Sequence, residues 1–335
     1  MRGEPMSAHT SFRVGGPADF LLQIGTQTQL TQVLGILEEA GEPYYLLGRG
    51  TNLLVGDGGY RGCMITLTGP EFAGVCFPDG GENLSADFAG REMGNMTGAG
   101  MFIDSPGTDA SMDNPDASPC NAERNEEGVC LSAGAGEPLS ALASMARDLG
   151  LTGLEFAAGI PGSVGGAIVM NAGAYGGSME QVVASARLLM PGGIVREVPG
   201  GELHFGYRHS LLKEISAIVL RVELVLSPGD PEQITETMKE LGRKRSQKQP
   251  LEYPSAGSTF KRPEGMFAGK LIMDAGLRGF SIGGAAVSEK HCGFVINRDG
   301  ASAADIRAVI DAVRQRVYET SGVMLEEEVI QIGEF

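Results

Sequence analysis

Two glycine-rich segments carry the first chemical signal. GRGTNLLV at 48–55 and GIPGSVGGA at 159–167 place glycines where backbone N–H groups can approach oxygens with no side chain intervening. Neither is a Walker loop, because the Gly-Lys-Ser/Thr ending is missing. Gly48-x-Gly50-x-x-Leu53 also departs from the dinucleotide fingerprint at its third glycine, and Gly134-x-Gly136-x-x-Leu139 fails in the same way. Residues 156–177 hold seven glycines together with Asn171 and Tyr175. That density exceeds what turns between strands need and points to a large cofactor lying against the backbone. Read from their neighbours alone, Ser258 closes a turn or caps a helix, Arg208 is a surface ion-pair partner and Glu328 is one of three consecutive glutamates on a solvated edge, so local spacing assigns none of them a chemical role. His9, His204, His209 and His291 are scattered without metal-ligand spacing, so no metal site is expected.

The elements that must position these residues are partly legible. Leu30, Val33, Leu34 and Leu37 recur at helical spacing up to Gly41, and the runs 44–47 and 64–67 read as strands around the turn GRGTNLLVGDGG, which together make a small α/β unit. Leu139, Leu142, Ala143 and Ala146 predict a helix behind Pro138 that ends at Gly150. Two later helices are marked by their ends. One starts at Asp230 and carries Arg243, Lys244 and Arg245 late, as the macrodipole favours; the other is capped by Ser302 with Asp305 three residues on. The second of these should bury Ile306, Val309, Ile310, Val313 and Val317.

With 335 residues the chain is long enough for two or three domains. Its 51 glycines are roughly twice the usual share. A formal charge of −16 argues against nucleic acid and anionic membranes as partners and in favour of small molecules. The charge is concentrated: residues 71–128 hold twelve acidic residues against Arg91 and Arg124, or −10 of the total. This stretch loses periodicity and is expected to be a surface insertion at about 78–127, with a short strand near 74–77. The five cysteines, Cys63, Cys76, Cys120, Cys130 and Cys292, are odd in number and show no zinc spacing, so they read as reduced thiols. The start MRGEPMSAHT lacks an export signal, and no apolar run of about 18 residues occurs, which points to a cytoplasmic protein.

Beyond these local readings, ordered blocks along nearly the whole chain outside the acidic stretch carry a specific resemblance. They are HTSFRVGGPAD (9–19), GRGTNLL (48–54), GIPGSVGGA (159–167), NAGAYGG (171–177), GYRHS (206–210), KQPLEYPSAGSTFKRP (248–263), FAGKLI (267–272), GFSIGGAAVSEKHCGFVIN (279–297) and LEEEV (325–329). By these blocks the chain resembles the UDP-N-acetylenolpyruvoylglucosamine reductase (MurB) family. The stretch between Tyr207 and the KQP block is short, similar to the subgroup that lacks an extra substrate-covering loop.

The resemblance implies an α+β fold: an FAD-binding module of the vanillyl-alcohol-oxidase (PCMH) type at 1–228, in two α/β subdomains of about 1–68 and 69–228. An α+β substrate-binding domain at 229–335 would follow, with a last strand able to return to the N-terminal subdomain. It implies that FAD lies on Gly48, Arg49, Gly50, Thr51, Asn52 and Leu53, and on Gly159, Ile160, Pro161, Gly162, Ser163, Gly165, Gly166, Ala167, Asn171 and Gly173. The implied reaction passes a hydride from NADPH to FAD and then to the enolpyruvyl group of UDP-N-acetylglucosamine enolpyruvate, giving UDP-N-acetylmuramate for peptidoglycan. The family's proton-donating serine falls on Ser258, its arginine on Arg208, and its glutamate, the one preceding the last strand's valine, on Glu328. Tyr207, Lys248, Lys261 and Lys270 are weaker candidates for phosphate contacts, since lysine meets phosphate as a point charge.

Overall fold

Helix 27–40 (α1) forms because Leu30 and Leu37 repeat on one face, Thr26 caps its start by accepting the Gln29 N–H at 3.2 Å, and Gly41 closes it at φ 64°. It connects two strands of a four-stranded sheet. The strands are β1 (Arg2–Pro5), β2 (Pro17–Ile24), β3 (Tyr44–Leu46) and, beyond a short β4 (Leu53–Val55), β5 (Tyr60–Leu67), in the order β1-β2-β5-β3. β2 and β3 both run parallel to β5, an arrangement that requires a crossover such as α1. The apolar face of α1 packs on Ile24 and Ile65 and reaches Leu189, Ile218 and Leu220 of the next sheet. This computed structural model describes residues 1–78, Leu84 and 128–335. The expected acidic insertion therefore lies outside the described residues, apart from Pro78 and Leu84.

The second sheet is antiparallel. Its strands β6 (Val75–Cys76), β7 (Val129–Gly134), β11 (Val183–Leu189), β12 (Val195–Pro199) and β13 (Ile218–Pro228) run in the order β12-β11-β13-β7-β6, and β8 (Leu151–Thr152) pairs with the end of β13. A helix at 139–148 (α2) and a short one at 164–169 (α3) bury Leu139, Leu142, Ala146, Val164 and Ile168 in one core with Leu131, Val222 and Leu224 of the sheet. A small hairpin, β9 (Gly173–Ala174) and β10 (Gly177–Ser178), follows α3.

Helix α4 (Pro231–Lys248) leads into the last part of the chain. This part holds α5 (Ala268–Asp274), a three-stranded antiparallel sheet of β14 (Ser281–Ile282), β15 (Ala285–Val287) and β16 (Val295–Asn297), then α6 (Ala303–Ser321) and β17 (Ile330–Ile332). A capping box of Ser302 and Asp305 starts α6, and Ile306, Val309, Ile310, Val313 and Val317 are buried along it. Their core also contains Phe12, Val14 and Leu54 from the chain's beginning. Two further ties bind the ends of the chain. Asp57 accepts the N–H groups of Ala303 and Ala304 at 2.8 and 2.9 Å, and β17 pairs in parallel with β4.

The α+β class expected from the resemblance holds. Two local expectations are corrected. The segment 53–55 is a strand rather than part of a turn, because β17, from the far end of the chain, pairs with it. Cys63, Cys76 and Cys292 carry free thiols, but Cys130 is disulfide-bonded, so the cysteines are not uniformly reduced. Among the described residues no helix is long and apolar enough to cross a membrane.

Ile310 has no exposed surface and sits centrally in the α6 core. Ile310→Ala should lower unfolding free energy by about 2–5 kcal/mol, the usual cost of such a cavity. A urea midpoint equal to wild type would show that this core does not support the cooperative unit.

Candidate active site

The glycine loops are brought side by side by contacts distant in sequence. The 48–52 loop is pinned where Leu47 N–H donates to Ile65 O at 2.7 Å and where β4 begins. Within it Gly50 has φ +61°, and a Cβ there would stand 1.9 Å from the carbonyl oxygen of His9, so glycine is required. Thr51 Oγ1 donates to Pro161 O at 3.0 Å, joining this loop to 159–163. The second loop is tied to the third glycine segment, with Leu139 N–H on Gly162 O and Val164 N–H on Glu137 O. Ser163 caps α3 through the Gly166 N–H.

What this arrangement leaves over is a set of donors. Among the described residues, the N–H groups of Gly48, Arg49, Gly50, Thr51 and Asn52 in one loop, and of Gly159, Gly162 and Ser163 in the other, have no acceptor. Beside them the buried Ser11 hydroxyl is also unpartnered, and the Ser11 N–H donates to Gly50 O. Backbone donors seldom stay unsatisfied without water or a ligand. Eight such groups in glycine-rich backbone suit the oxygens of a diphosphate. The other residues expected at FAD have different surroundings: Leu53 is a core strand residue, Gly165 N–H is bound by Ala135 O, and Ala167 is buried in α3.

Next to the loops opens a cleft of about 850 Å³ whose lining includes Ser258, Arg208, Glu328, Tyr207 and Lys270, together with Asn171 and Gly173. Arg208 Nε donates to Glu328 Oε1 at 2.7 Å and its Nη2 donates to Gly173 O at 3.2 Å. Glu328 is fixed by its backbone: its N–H donates to Thr259 O at 2.9 Å and its carbonyl accepts Asn52 Nδ2 at 2.9 Å. Thr259 is fully buried, donating to Gly293 O and accepting the Val295 N–H on its hydroxyl, each at 2.9 Å. That anchoring presents Ser258 to the cleft, where its hydroxyl has no partner among the described residues. Burial raises the Glu328 pKa, and the charge and hydrogen bond of Arg208 only partly offset it.

The weaker candidates separate. Tyr207 and Lys270 line the cleft; Tyr207 accepts the Arg262 N–H on its hydroxyl, and Lys270 pairs with Asp274 at 2.7 Å. Lys261 is ion-paired with Glu326, and Lys248 is exposed at the end of α4; neither lines the cleft. Sequence reasoning missed three residues: Asn52 as a tie to Glu328, Ser11, and His291, which lines the cleft with its pKa lowered by burial. Asn52 and Ser11 are significant through partners far along the chain, and His291, braced locally by Ser288 and Gly293, has no metal-ligand spacing to single it out.

An α+β chain with a glycine-loop donor cradle beside a cleft holding serine, arginine and glutamate belongs among the flavoprotein oxidoreductases, and residues 120–199 match the FAD binding domain profile. Residues 249–332 match the profile of the UDP-N-acetylenolpyruvoylglucosamine reductase C-terminal domain. The UDP-N-acetylenolpyruvoylglucosamine reductase of Agathobacter rectalis is 44% identical over 335 residues, covering 100% of this chain and 94% of its own. That of Clostridioides difficile is 42% identical, covering 99% and 92%. The crystal structure of the reductase from Thermus caldophilus aligns with a TM-score of 0.70 at 30% identity, over 98% of this chain and 97% of that one. The chain belongs to the UDP-N-acetylenolpyruvoylglucosamine reductase family and is an FAD-dependent enzyme.

Two outcomes test this geometry. Gly50→Ala should yield folded protein without bound flavin, measured by visible absorbance against protein concentration; full flavin occupancy would remove the 48–52 loop from the cradle. For Glu328, a folded-state pKa above the unfolded value means its contribution to stability is complete below the unfolded pKa and is lost as pH rises through the folded one. Glutamine mimics the protonated form. The urea midpoint of Glu328→Gln relative to wild type should therefore climb as pH rises through that window, and a fall would mean that the Arg208 pairing outweighs burial.

Proposed function

We propose that this chain performs the NADPH-dependent reduction of UDP-N-acetylglucosamine enolpyruvate to UDP-N-acetylmuramate, a step of peptidoglycan precursor synthesis, in the cytoplasm. The observation that carries this reading is the meeting of Arg208, Glu328 and an unengaged Ser258 hydroxyl in a cleft tied through Asn52 to the donor-rich loop. When bound, FAD supplies the hydride relay between NADPH and the enolpyruvyl carbon. Gly48–Asn52 and Gly159–Ser163 would hold its diphosphate by backbone N–H groups, and Ser11 would add a hydroxyl.

The chain's own residues then manage charge and a proton. Addition of a hydride to the enolpyruvyl group builds negative charge toward its carboxylate, and the Arg208 guanidinium supplies the opposing charge. Glu328 orients that guanidinium through Nε, while Gly173 O holds its other arm. Ser258 donates the proton to the adjacent carbon from a position set by Thr259. Tyr207 and Lys270, which line the cleft, would meet the sugar diphosphate. A phosphate reaching Lys270 must compete with Asp274, and one reaching Lys261 must compete with Glu326.

The test separates the two half-reactions. In Ser258→Ala, anaerobic NADPH should bleach the flavin at the wild-type rate. Return of colour on adding the enolpyruvyl UDP-sugar should be slower by about 10²–10⁴-fold, the range for losing a positioned general acid. Ser258→Cys should recover part of that rate, because a thiol also carries a proton at this place. Wild-type recolouring in Ser258→Ala would move the proton donor elsewhere, and recolouring of the wild type by oxygen alone would overturn the whole reading.

A further inference from the structure

The last turns of α4 carry three successive cations that are not equivalent. Arg243 Nη2 donates to Glu236 at 2.6 Å and Lys244 pairs with Glu240 at 2.5 Å, so both are exposed and matched by carboxylates of their own helix. Arg245 turns inward and is half-buried. Among the described residues its guanidinium has no hydrogen-bond acceptor and no carboxylate. Burial pushes its pKa down, and the only offset is the nearby Tyr175 phenol. Attraction to the helix C-terminus does not explain this, because Arg243, Lys244 and Lys248 supply it from the surface without desolvation. A cation withdrawn from water with no anion is destabilising, and such a group persists where a ligand brings the anion.

Its neighbours indicate which anion. A Cβ at Gly159 would stand 3.2 Å from Arg245 Cδ and 3.3 Å from Nη1, so the side chain runs close against the backbone there. Gly159 opens the loop whose own N–H, with those of Gly162 and Ser163, has no acceptor. A terminal guanidinium nitrogen thus lies beside backbone donors that are equally unmatched.

We propose that Arg245 supplies the countercharge for the FAD diphosphate along the 159–163 loop, as a cofactor-positioning residue contributed by α4. The proposal rests on assigning that loop to the diphosphate, and the experiment separates the two. The full-length chain, freed of flavin, is titrated with FAD and with riboflavin, which carries no phosphate, following the quenching of flavin fluorescence. Arg245→Met keeps the aliphatic stem and should melt like the wild-type apoprotein. It should bind FAD at least about tenfold more weakly, as expected for losing a charged hydrogen bond, with riboflavin affinity held within about twofold. Arg245→Lys should fall between them for FAD. Equal weakening for both ligands, or none for either, overturns the proposal. So does unchanged FAD binding accompanied by weaker binding of uridine diphosphate to the holoenzyme, which would assign the countercharge to the substrate. Wild-type protein that binds riboflavin as tightly as FAD would instead remove the diphosphate from the loop.

Discussion

The peptide groups flanking Glu328 are bound from two sides: the N–H by Thr259 O and the carbonyl by Asn52 Nδ2. The stitching continues in both directions, with Lys261 N–H on Glu326 O and Ile330 N–H on Asn52 O. Side chains along such extended segments alternate. Glu328 faces the cleft while Glu327 pairs with Arg314, and Ser258 and Phe260 face the cleft while Thr259 is buried. A slip of one residue would send Glu327 into the cleft and Ser258 into the interior. Selecting one glutamate from three is therefore decided by register, and register is decided by the parallel pairing of β17 with β4.

The same ties connect the donor-rich loop with the cleft. Asn52 ends the donor-rich loop and holds Glu328; Thr51 joins that loop to Pro161; Asp57, just beyond β4, caps α6. Motion of the 48–57 segment would disturb the cradle, the Arg208–Glu328 pair and the α6 core together. This coupling is mechanical and local, since every step is a hydrogen bond of about 3 Å or shorter. It places the glutamate in a setting where desolvation exceeds the help of Arg208, its largest offset, with Lys261 and Lys213 adding smaller attractions.

Features set by neighbours in sequence were legible. The capping box of α6, the glycine stop of α1 and the buried stripes of both helices follow from side-chain spacing alone. The glycine loops were visible as loops, and the family resemblance supplied the cofactor and singled out Ser258, Arg208 and Glu328, which the fold gathers in one cleft. Strand β4 was hidden because Leu53–Val55 sits among glycines and acquires strand pairing only from the chain's last residues. Ser11, the tie from Asn52 to Glu328 and the isolation of Arg245 were hidden for a related reason. Their significance is a partner supplied or withheld by distant backbone, and composition does not encode it.

Local backbone preference yields to this site in a way that shows what the fold must hold. Five described non-glycine residues adopt φ between 41° and 58°, and Asn171, Tyr175 and Arg208 among them line the cleft. Asparagine tolerates that region, and Asn171 is further braced by donating to Gly206 O and accepting the Glu180 N–H, each at 3.0 Å. Arg208 is the costlier case. Gly206 and His209 exchange backbone hydrogen bonds, making 206–209 a tight turn whose third residue has φ +54°, where glycine is the ordinary choice. Arginine survives there because Glu328, Gly173 O and the turn itself over-determine its position. A glycine would relax the turn and leave the Glu328 carboxylate desolvated without its closest counterion, so the strain at residue 208 is the physical condition for keeping a charged pair at the cleft.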